Sequence, residues 1–169
     1  MKWKEKKKKK EKKRQKKLEK KRAKEEKKKM VRGYASTFNQ PYVLYSYGEN
    51  EIREVVDPHA FDEADMSDVI FQYNHEGRVF ARISNNTLSV IPDNIGLAIE
   101  ADLGGTEIGR DLYEEIAGGY TTKMSYGYTV LEDFWEDTRE NDKDISTRTI
   151  KKIGKVFDLS AVSIPANDG

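Results

Sequence analysis

The charge of this chain is divided between two segments of opposite sign, and this division limits what each segment can fold into. Residues 1–30 contain 19 Lys and Arg against 5 Glu, whereas the rest of the chain contains 12 Lys and Arg against 25 Asp and Glu. The first segment has almost no apolar side chains, so it cannot bury enough surface to offset the entropy lost on ordering. We therefore predict a disordered or singly helical basic tail over residues 1–30 and one folded domain over residues 31–169.

Two interpretations of the basic tail stay open. It is either a solvated segment without a partner, or an electrostatic contact site for an acidic protein or a nucleic acid. Arginine is scarce in the tail, and Trp3 is its single aromatic residue. Sequence-specific reading of bases is therefore not expected.

The composition excludes several classes of site. The chain has no cysteine and only two histidines, so disulfides are excluded and a zinc site would need carboxylate ligands, for which no suitable spacing is present. We expect no cofactor. No apolar run approaches the ~20 residues of a membrane span, and no apolar segment follows the first lysines as in a signal peptide. We expect a soluble protein that stays in the cytoplasm where it is made.

From residue 31 onwards, short apolar runs alternate with turn residues, which predicts a domain that is mainly β with few helices, an α+β fold. We expect an antiparallel β-barrel or sandwich with its helices outside. The acidic stretch 132–144 is predicted to be a long hairpin loop. The predicted strands are 31–38, 51–56, 69–75, 80–83, 88–91, 97–101, 120–131, 145–153 and 156–164.

One helix is predicted within this domain. Thr106 is a suitable N-cap, and Ile108, Leu112 and Ile116 follow at the spacing of one helical face. Gly118 and Gly119 are expected to end the helix, because glycine is common just after a helix C-terminus.

Ser125 and His75 are the candidates for chemistry. A serine hydroxyl needs a base to become nucleophilic, and histidine is the usual base near neutral pH. If 120–131 is a strand, Ser125 and Gly127 share one face, and Gly127 leaves room for a substrate backbone. Strand alternation would place His75 on the same face as Val69, Phe71 and Tyr73. The residues alone equally allow Ser125 to be a polar residue on a solvated face and His75 to be a structural strand-end histidine.

Several segments, taken in order, resemble the prohead (capsid maturation) protease family of tailed phages, which is related to the herpesvirus assemblin proteases. The resemblance extends over about 31–167, and no single segment carries it. The segments are Gly33–Asn39, Asp57–Phe61, Asn74–His75, Gly96–Leu97 with Ala101–Leu103, Thr106–Asp111, Met124–Tyr128 and Asp158–Asn167.

The resemblance implies a β-barrel of the assemblin type and assigns roles to three residues. Ser125 matches the family's nucleophile and His75 its general base. Asp158 matches the acidic residue that the phage branch has in a late strand, where assemblins use a second histidine; a carboxylate there would orient the imidazole. His59 stands where the family usually has a glycine, so it does not match that second histidine.

The resemblance also implies a serine endopeptidase of capsid maturation. Its expected substrates are the scaffold, or the scaffolding segment of the major capsid protein, and the protease itself. Relatives act as oligomers inside the immature capsid within the bacterial host, and many continue beyond the segment equivalent to 165–167. The chain is therefore expected to be a trimmed form, a self-processed form or a piece of a longer polyprotein. The alternative is a non-enzymatic capsid-assembly module whose basic tail binds DNA or an acidic capsid surface.

Overall fold

The computed structural model describes residues 2–26 and 28–162 and consists mainly of β-strands, with two α-helices. Two short 3-10 helices, Ile83–Asn85 and Leu103–Gly105, connect strands. The helices and strands are α1 (Lys2–Glu26), β1 (Met30–Thr37), β2 (Tyr42–Tyr47), β3 (Asn50–Val56), β4 (Ile70–Tyr73), β5 (Glu76–Arg82), β6 (Leu88–Pro92), β7 (Gly96–Asp102), α2 (Glu107–Ala117), β8 (Lys123–Glu140) and β9 (Lys143–Val162).

The lysine-rich segment forms helix α1, and the side chains of residues 6–23 are exposed to solvent. The helix has no apolar stripe, so it has no face that could pack on a core. The folded body begins at Lys29. Its backbone N–H donates to Asp102 Oδ1 at 3.1 Å, and its Nζ lies 3.2 Å from Glu114 Oε1.

The strands form two sheets. The first has the order β1-β7-β6 and is antiparallel throughout, and the second has the order β2-β3-β9-β4-β5 with β8 paired to the other edge of β9. The predicted closed barrel is not confirmed, because β1 and β8 lie side by side without pairing among the described residues. The predicted antiparallel arrangement is wrong for two strand pairs, since β3 and β4 both run parallel to β9.

Strand β9 is long enough for two parallel strands to pair with it on the same edge. Its 20 residues accept β3 along Asp144–Ile150 and β4 along Asp158–Ala161, one after the other on the same edge. Sequence pattern alone divided β9 into two strands, 145–153 and 156–164, and this division is wrong; the part of the second prediction beyond residue 162 lies outside the described residues. The strand pairing of β5 also differs from a simple meander, because β5 pairs with β4 and not with β6.

The acidic stretch 132–144 is a strand hairpin and not the predicted loop. Side chains of β8 and β9 pair across this hairpin: Arg148 Nε lies 2.7 Å from Asp133 Oδ2, and Ser146 Oγ donates to Asp137 Oδ1 at 2.6 Å. Cross-strand pairs of this kind stabilise strands whose residues have low strand propensity. Asn141 and Asp142 form the two-residue turn, with φ of 49° and 64°.

The core lies between the two sheets and contains the largest fully buried side chains, among them Phe71, Leu97, Ile99, Ile150 and Leu159. Helix α2 adds Leu112 to this core, as the spacing of its apolar residues predicted. Both predicted ends of α2 are confirmed. The Thr106 hydroxyl accepts from the Gly109 N–H at 3.1 Å, and the helix ends immediately before Gly118. Within the described residues, no helix is long and apolar enough to cross a membrane.

Candidate active site

A tight turn between β4 and β5 presents His75. Tyr73 pairs directly with Glu76, so Asn74 and His75 are the two turn residues, and both have positive φ, 50° and 59°. This is the geometry of the hairpin turn whose twist matches that of the flanking strands, and Asn and His tolerate it better than most residues. The prediction that His75 continues the strand alternation is therefore wrong in detail: His75 lies just beyond the strand end and is oriented by the turn.

The structure brings His75 into contact with Asp158. Nδ1 of His75 lies 2.6 Å from Oδ2 of Asp158, although 83 residues separate the two in the chain. An ionised carboxylate can only accept, so the Nδ1 of a neutral imidazole must carry the proton and its Nε2 keeps a free lone pair. The His75 side chain is 38% exposed and that of Asp158 13%, so the ring is accessible from solvent while its carboxylate partner is shielded.

Ser125 lies on β8, which pairs with the strand of Asp158, β9, along the edge opposite to β4. It pairs directly with Ser160 of β9, and Gly127 pairs with Asp158. Residues directly opposite each other in an antiparallel pair project to the same side of the sheet. Ser125 therefore shares a face with Asp158 and Ser160, while Tyr126, with its side chain on the core side, stacks on Tyr128 at 4.4 Å between ring centroids.

Gly127 allows the Asp158 carboxylate to occupy its position. A Cβ at residue 127 would come 2.3 Å from Asp158 Oδ1, a distance that no side chain could accept without displacing the carboxylate. The sequence suggested that this glycine leaves room for a substrate. In the structure, it first makes room for a side chain of the site itself.

Ser160 belongs to the same cluster and is absent from the sequence-based set of candidates. It is 0% exposed, its Oγ accepts from the His75 backbone N–H at 3.0 Å, and it lies 3.1 Å from Asp158 Oδ2. The available signal was its position two residues after Asp158, which places both on one face of a strand. That signal is weak without knowledge of which face carries the site.

A partly buried polar cluster around Glu54 joins β8 to β2, β3 and β9. The hydroxyls of Tyr42 and Tyr128 both donate to Oε1 of the buried Glu54, Tyr128 at 2.8 Å, while Arg148 Nη1 lies 3.3 Å from Oε2. Burial, followed by the proximity of ionisable neighbours including Glu54, raises the pKa of Tyr128; burial also raises the pKa of Tyr42. Both tyrosines therefore stay neutral donors, and the bond from Tyr128 ties β8 to Glu54 of β3 three residues beyond Ser125.

A cavity of about 470 Å³ lies between the unpaired edge of β1 and the beginning of β8. Gly33 and Tyr34 line it from β1, Lys123 and Met124 from β8, and Phe71 from the core. Along β8 its lining ends at Met124, the residue before Ser125.

His59 contacts a different carboxylate from that of His75. It is largely exposed and contacts Asp62, with 3.0 Å between Nδ1 and Oδ2. Among the described residues, no group of three or more His, Asp or Glu side chains is arranged to hold a metal ion.

A histidine held by a carboxylate, beside a strand that carries a serine, is the arrangement used by hydrolases of the Ser-His-acid type. The family model of the caudovirus prohead serine proteases matches residues 16–169, and the chain belongs to this family of serine peptidases. No curated protein and no solved structure matches the chain.

Proposed function

We propose that this chain is a serine endopeptidase of capsid maturation in which Ser125 is the nucleophile, His75 the general base and Asp158 the residue that orients His75. The contact of 2.6 Å between His75 and Asp158 carries the proposal, because it leaves Nε2 as the free basic atom of the ring. Family membership supplies the class of reaction.

The reaction then proceeds by acyl transfer. Nε2 of His75 takes the Ser125 proton as Oγ attacks the peptide carbonyl, and the resulting imidazolium gives this proton to the departing amine. Asp158 stabilises the imidazolium through Nδ1–H without being protonated itself. A water molecule activated in the same way then attacks the acyl-enzyme, which releases the new carboxyl end and restores Ser125.

The proposed substrates are the scaffold or the scaffolding segment of the major capsid protein, and the protease itself, cleaved inside the immature capsid within the bacterial host. An extended substrate segment would occupy the cavity beside β8, where β1 and β8 each present a strand edge that the described residues leave unpaired. Self-association of the protease inside the capsid is part of the same proposal.

The proposal is tested by co-expressing the chain with its capsid protein and measuring intact masses. Ser125→Ala is expected to abolish cleavage, because loss of a triad nucleophile costs on the order of 10⁶-fold in rate. Ser46→Ala on the exposed strand β2 is the matched control and should cleave like the wild type. Cleavage that persists in Ser125→Ala would overturn the assignment of the nucleophile.

A second candidate function is favoured by helix α1. The lysines among residues 6–23 are exposed, and they lie on a chain whose residues from 31 onwards are acidic overall. In this reading the β-domain is a non-enzymatic assembly module, and α1 binds DNA or an acidic capsid surface. Capsid proteins that remain uncleaved with both the wild type and Ser125→Ala would favour this function over proteolysis.

A further inference from the structure

We propose that Ser160 is a positioning residue that holds the His75 turn and the Asp158 carboxylate in one fixed arrangement. This inference rests on the proposed function, since it assigns a part in the same site. Ser160 itself is fully buried and would touch neither substrate nor the reacting atoms.

Three hydrogen bonds close a ring among these residues. The His75 backbone N–H donates to Ser160 Oγ at 3.0 Å, the Ser160 hydroxyl donates to Asp158 Oδ2 at 3.1 Å, and the same Oδ2 lies 2.6 Å from His75 Nδ1. The hydroxyl has one proton, and the backbone N–H can only donate, so the direction of each bond is determined. Ser160 thus contacts both ends of the histidine–carboxylate pair.

The turn that bears His75 gains from such a restraint. Asn74 and His75 both have positive φ, which costs free energy in residues other than glycine even though Asn and His adopt it more readily than most, so contacts that hold the turn offset this cost. Among the described residues, the backbone N–H groups of this turn make two bonds to β9: that of Asn74 donates to the Ala161 carbonyl at 3.0 Å, and that of His75 donates to Ser160 Oγ. The second of these bonds holds the backbone of the residue whose ring contacts Asp158.

The bond to Asp158 fixes the other partner. Asp158 Oδ2 receives two donors, the Ser160 hydroxyl and His75 Nδ1–H, so the carboxylate cannot rotate without losing both. The missing side chain at Gly127 leaves room for Oδ1 of the same carboxylate. Ser160 therefore holds in place the carboxylate that selects the Nδ1–H tautomer of His75, and through it the direction of Nε2.

The test compares Ser160→Ala and Ser160→Thr with the wild type in the full chain. The probe is a fluorophosphonate, which reacts with an activated serine, and the readout is the labelling rate of Ser125 by intact mass from pH 5 to pH 9. We expect Ser160→Ala to lower this rate about 10- to 100-fold, the range that misplacement of a catalytic group produces. Ser160→Thr, which keeps the hydroxyl, should recover most of the rate.

Ser146→Ala is the matched control. Ser146 lies on the same strand, and its Oγ also donates to a carboxylate, that of Asp137 at 2.6 Å, in the distal part of the hairpin. Its labelling rate should equal that of the wild type. A Ser160→Ala rate within about twofold of the wild type would overturn the proposal.

Two measurements on the imidazole and backbone of His75 separate this inference from the proposed function. NMR should show the Nδ1–H tautomer and a slowly exchanging His75 amide in the wild type, and a mixture of tautomers with faster exchange in Ser160→Ala. A fast-exchanging His75 amide in the wild type would overturn the role of Ser160. A wild type that is never labelled at Ser125 would instead refute the proposed function, while the NMR result would still decide the role of Ser160.

Discussion

Ser125 and Tyr126 are neighbours in sequence but lie on opposite faces of β8, and they have opposite chemical surroundings. Ser125 shares the polar face with Asp158, whereas Tyr126 is 8% exposed and packs among the apolar residues of the core. Burial raises the pKa of Tyr126 to about 12. Its hydroxyl is buried and makes no hydrogen bond of good geometry among the described residues, although the hydroxyls of Ser36 and Tyr128 lie near it and oppose this rise in pKa. Such a group costs folding free energy that a phenylalanine would not cost.

Tyr126→Phe is therefore expected to raise the free energy of unfolding by about 1 kcal/mol, measured as a higher urea midpoint at unchanged slope. Tyr128→Phe is the matched control, since the Tyr128 hydroxyl donates to Glu54 at 2.8 Å, and its loss should lower the free energy of unfolding by about 1–2 kcal/mol. A loss of stability in Tyr126→Phe would show that this hydroxyl has a partner after all.

Single residues also show the limit of sequence reasoning about the site. Ser125, His75 and Asp158 could be named through their match to the family's segments, and their catalytic roles stay predictions. Ser160 could not be named, because a serine on a strand is common and its importance depends on contacts with residues 85 positions away. The conformation of His75 was also beyond reach, since Tyr73-Asn74-His75 reads as a continuing strand until the pairing of Tyr73 with Glu76 is known.

At the scale of elements, the site depends on how closely β8 and β9 pair. Gly127 faces Asp158 directly, and the carboxylate lies where a side chain at position 127 would be. The missing side chain on β8 therefore leaves the space that the Asp158 carboxylate of β9 occupies.

Gly127→Ala is expected to displace the Asp158 carboxylate and to break its contact with His75. We expect the rate of Ser125 labelling by a fluorophosphonate to fall about 100-fold, while circular dichroism shows the strands intact. Gly105→Ala, where an added Cβ meets no atom within 4 Å, is the control and should react like the wild type. Unchanged reactivity in Gly127→Ala would mean that the position of the Asp158 carboxylate does not matter for the reaction.

Elements differed in how well the sequence predicted them. Helix α2 is determined locally, by its cap, its apolar spacing and its terminal glycines, and it was predicted almost to the residue. Strand β2 and the distal half of β8, from residue 132 onwards, were missed. Their residues are aromatic in a turn-rich context or strongly acidic, and they become strands because of pairs such as Arg148 with Asp133 across the hairpin.

At the scale of the whole molecule, the charge division seen in the sequence is also a division in space. Helix α1 carries an excess of lysine, and its described side chains, residues 6–23, are exposed, while the β-domain bears the acidic residues. Removing α1 should therefore leave the fold of the domain unaffected and change only what the molecule binds.

Deletion of residues 1–26, which keeps the Lys29 contacts with Asp102 and Glu114, should change the free energy of unfolding by no more than about 0.5 kcal/mol. With α1 present, we expect a fluorescent DNA 20-mer to bind with an affinity that falls steeply as salt rises from 50 to 200 mM. The deletion should abolish this binding, whereas Ser125→Ala should keep it. Equal DNA binding with and without α1 would contradict the second candidate function.

The sequence by itself determined the division into a basic helix-forming segment and a mainly β-domain, the position of α2, and the order of segments that matches the prohead proteases. These properties are written in neighbouring residues, through charge, periodicity and capping. Only the tertiary structure decided that the two sheets of the described residues do not close into a barrel and that β9 accepts two parallel neighbours. It also decided that Asp158, Ser160 and His75 form one ring of hydrogen bonds. Strand register places these residues together, and register depends on contacts between distant parts of the chain, which no local pattern specifies.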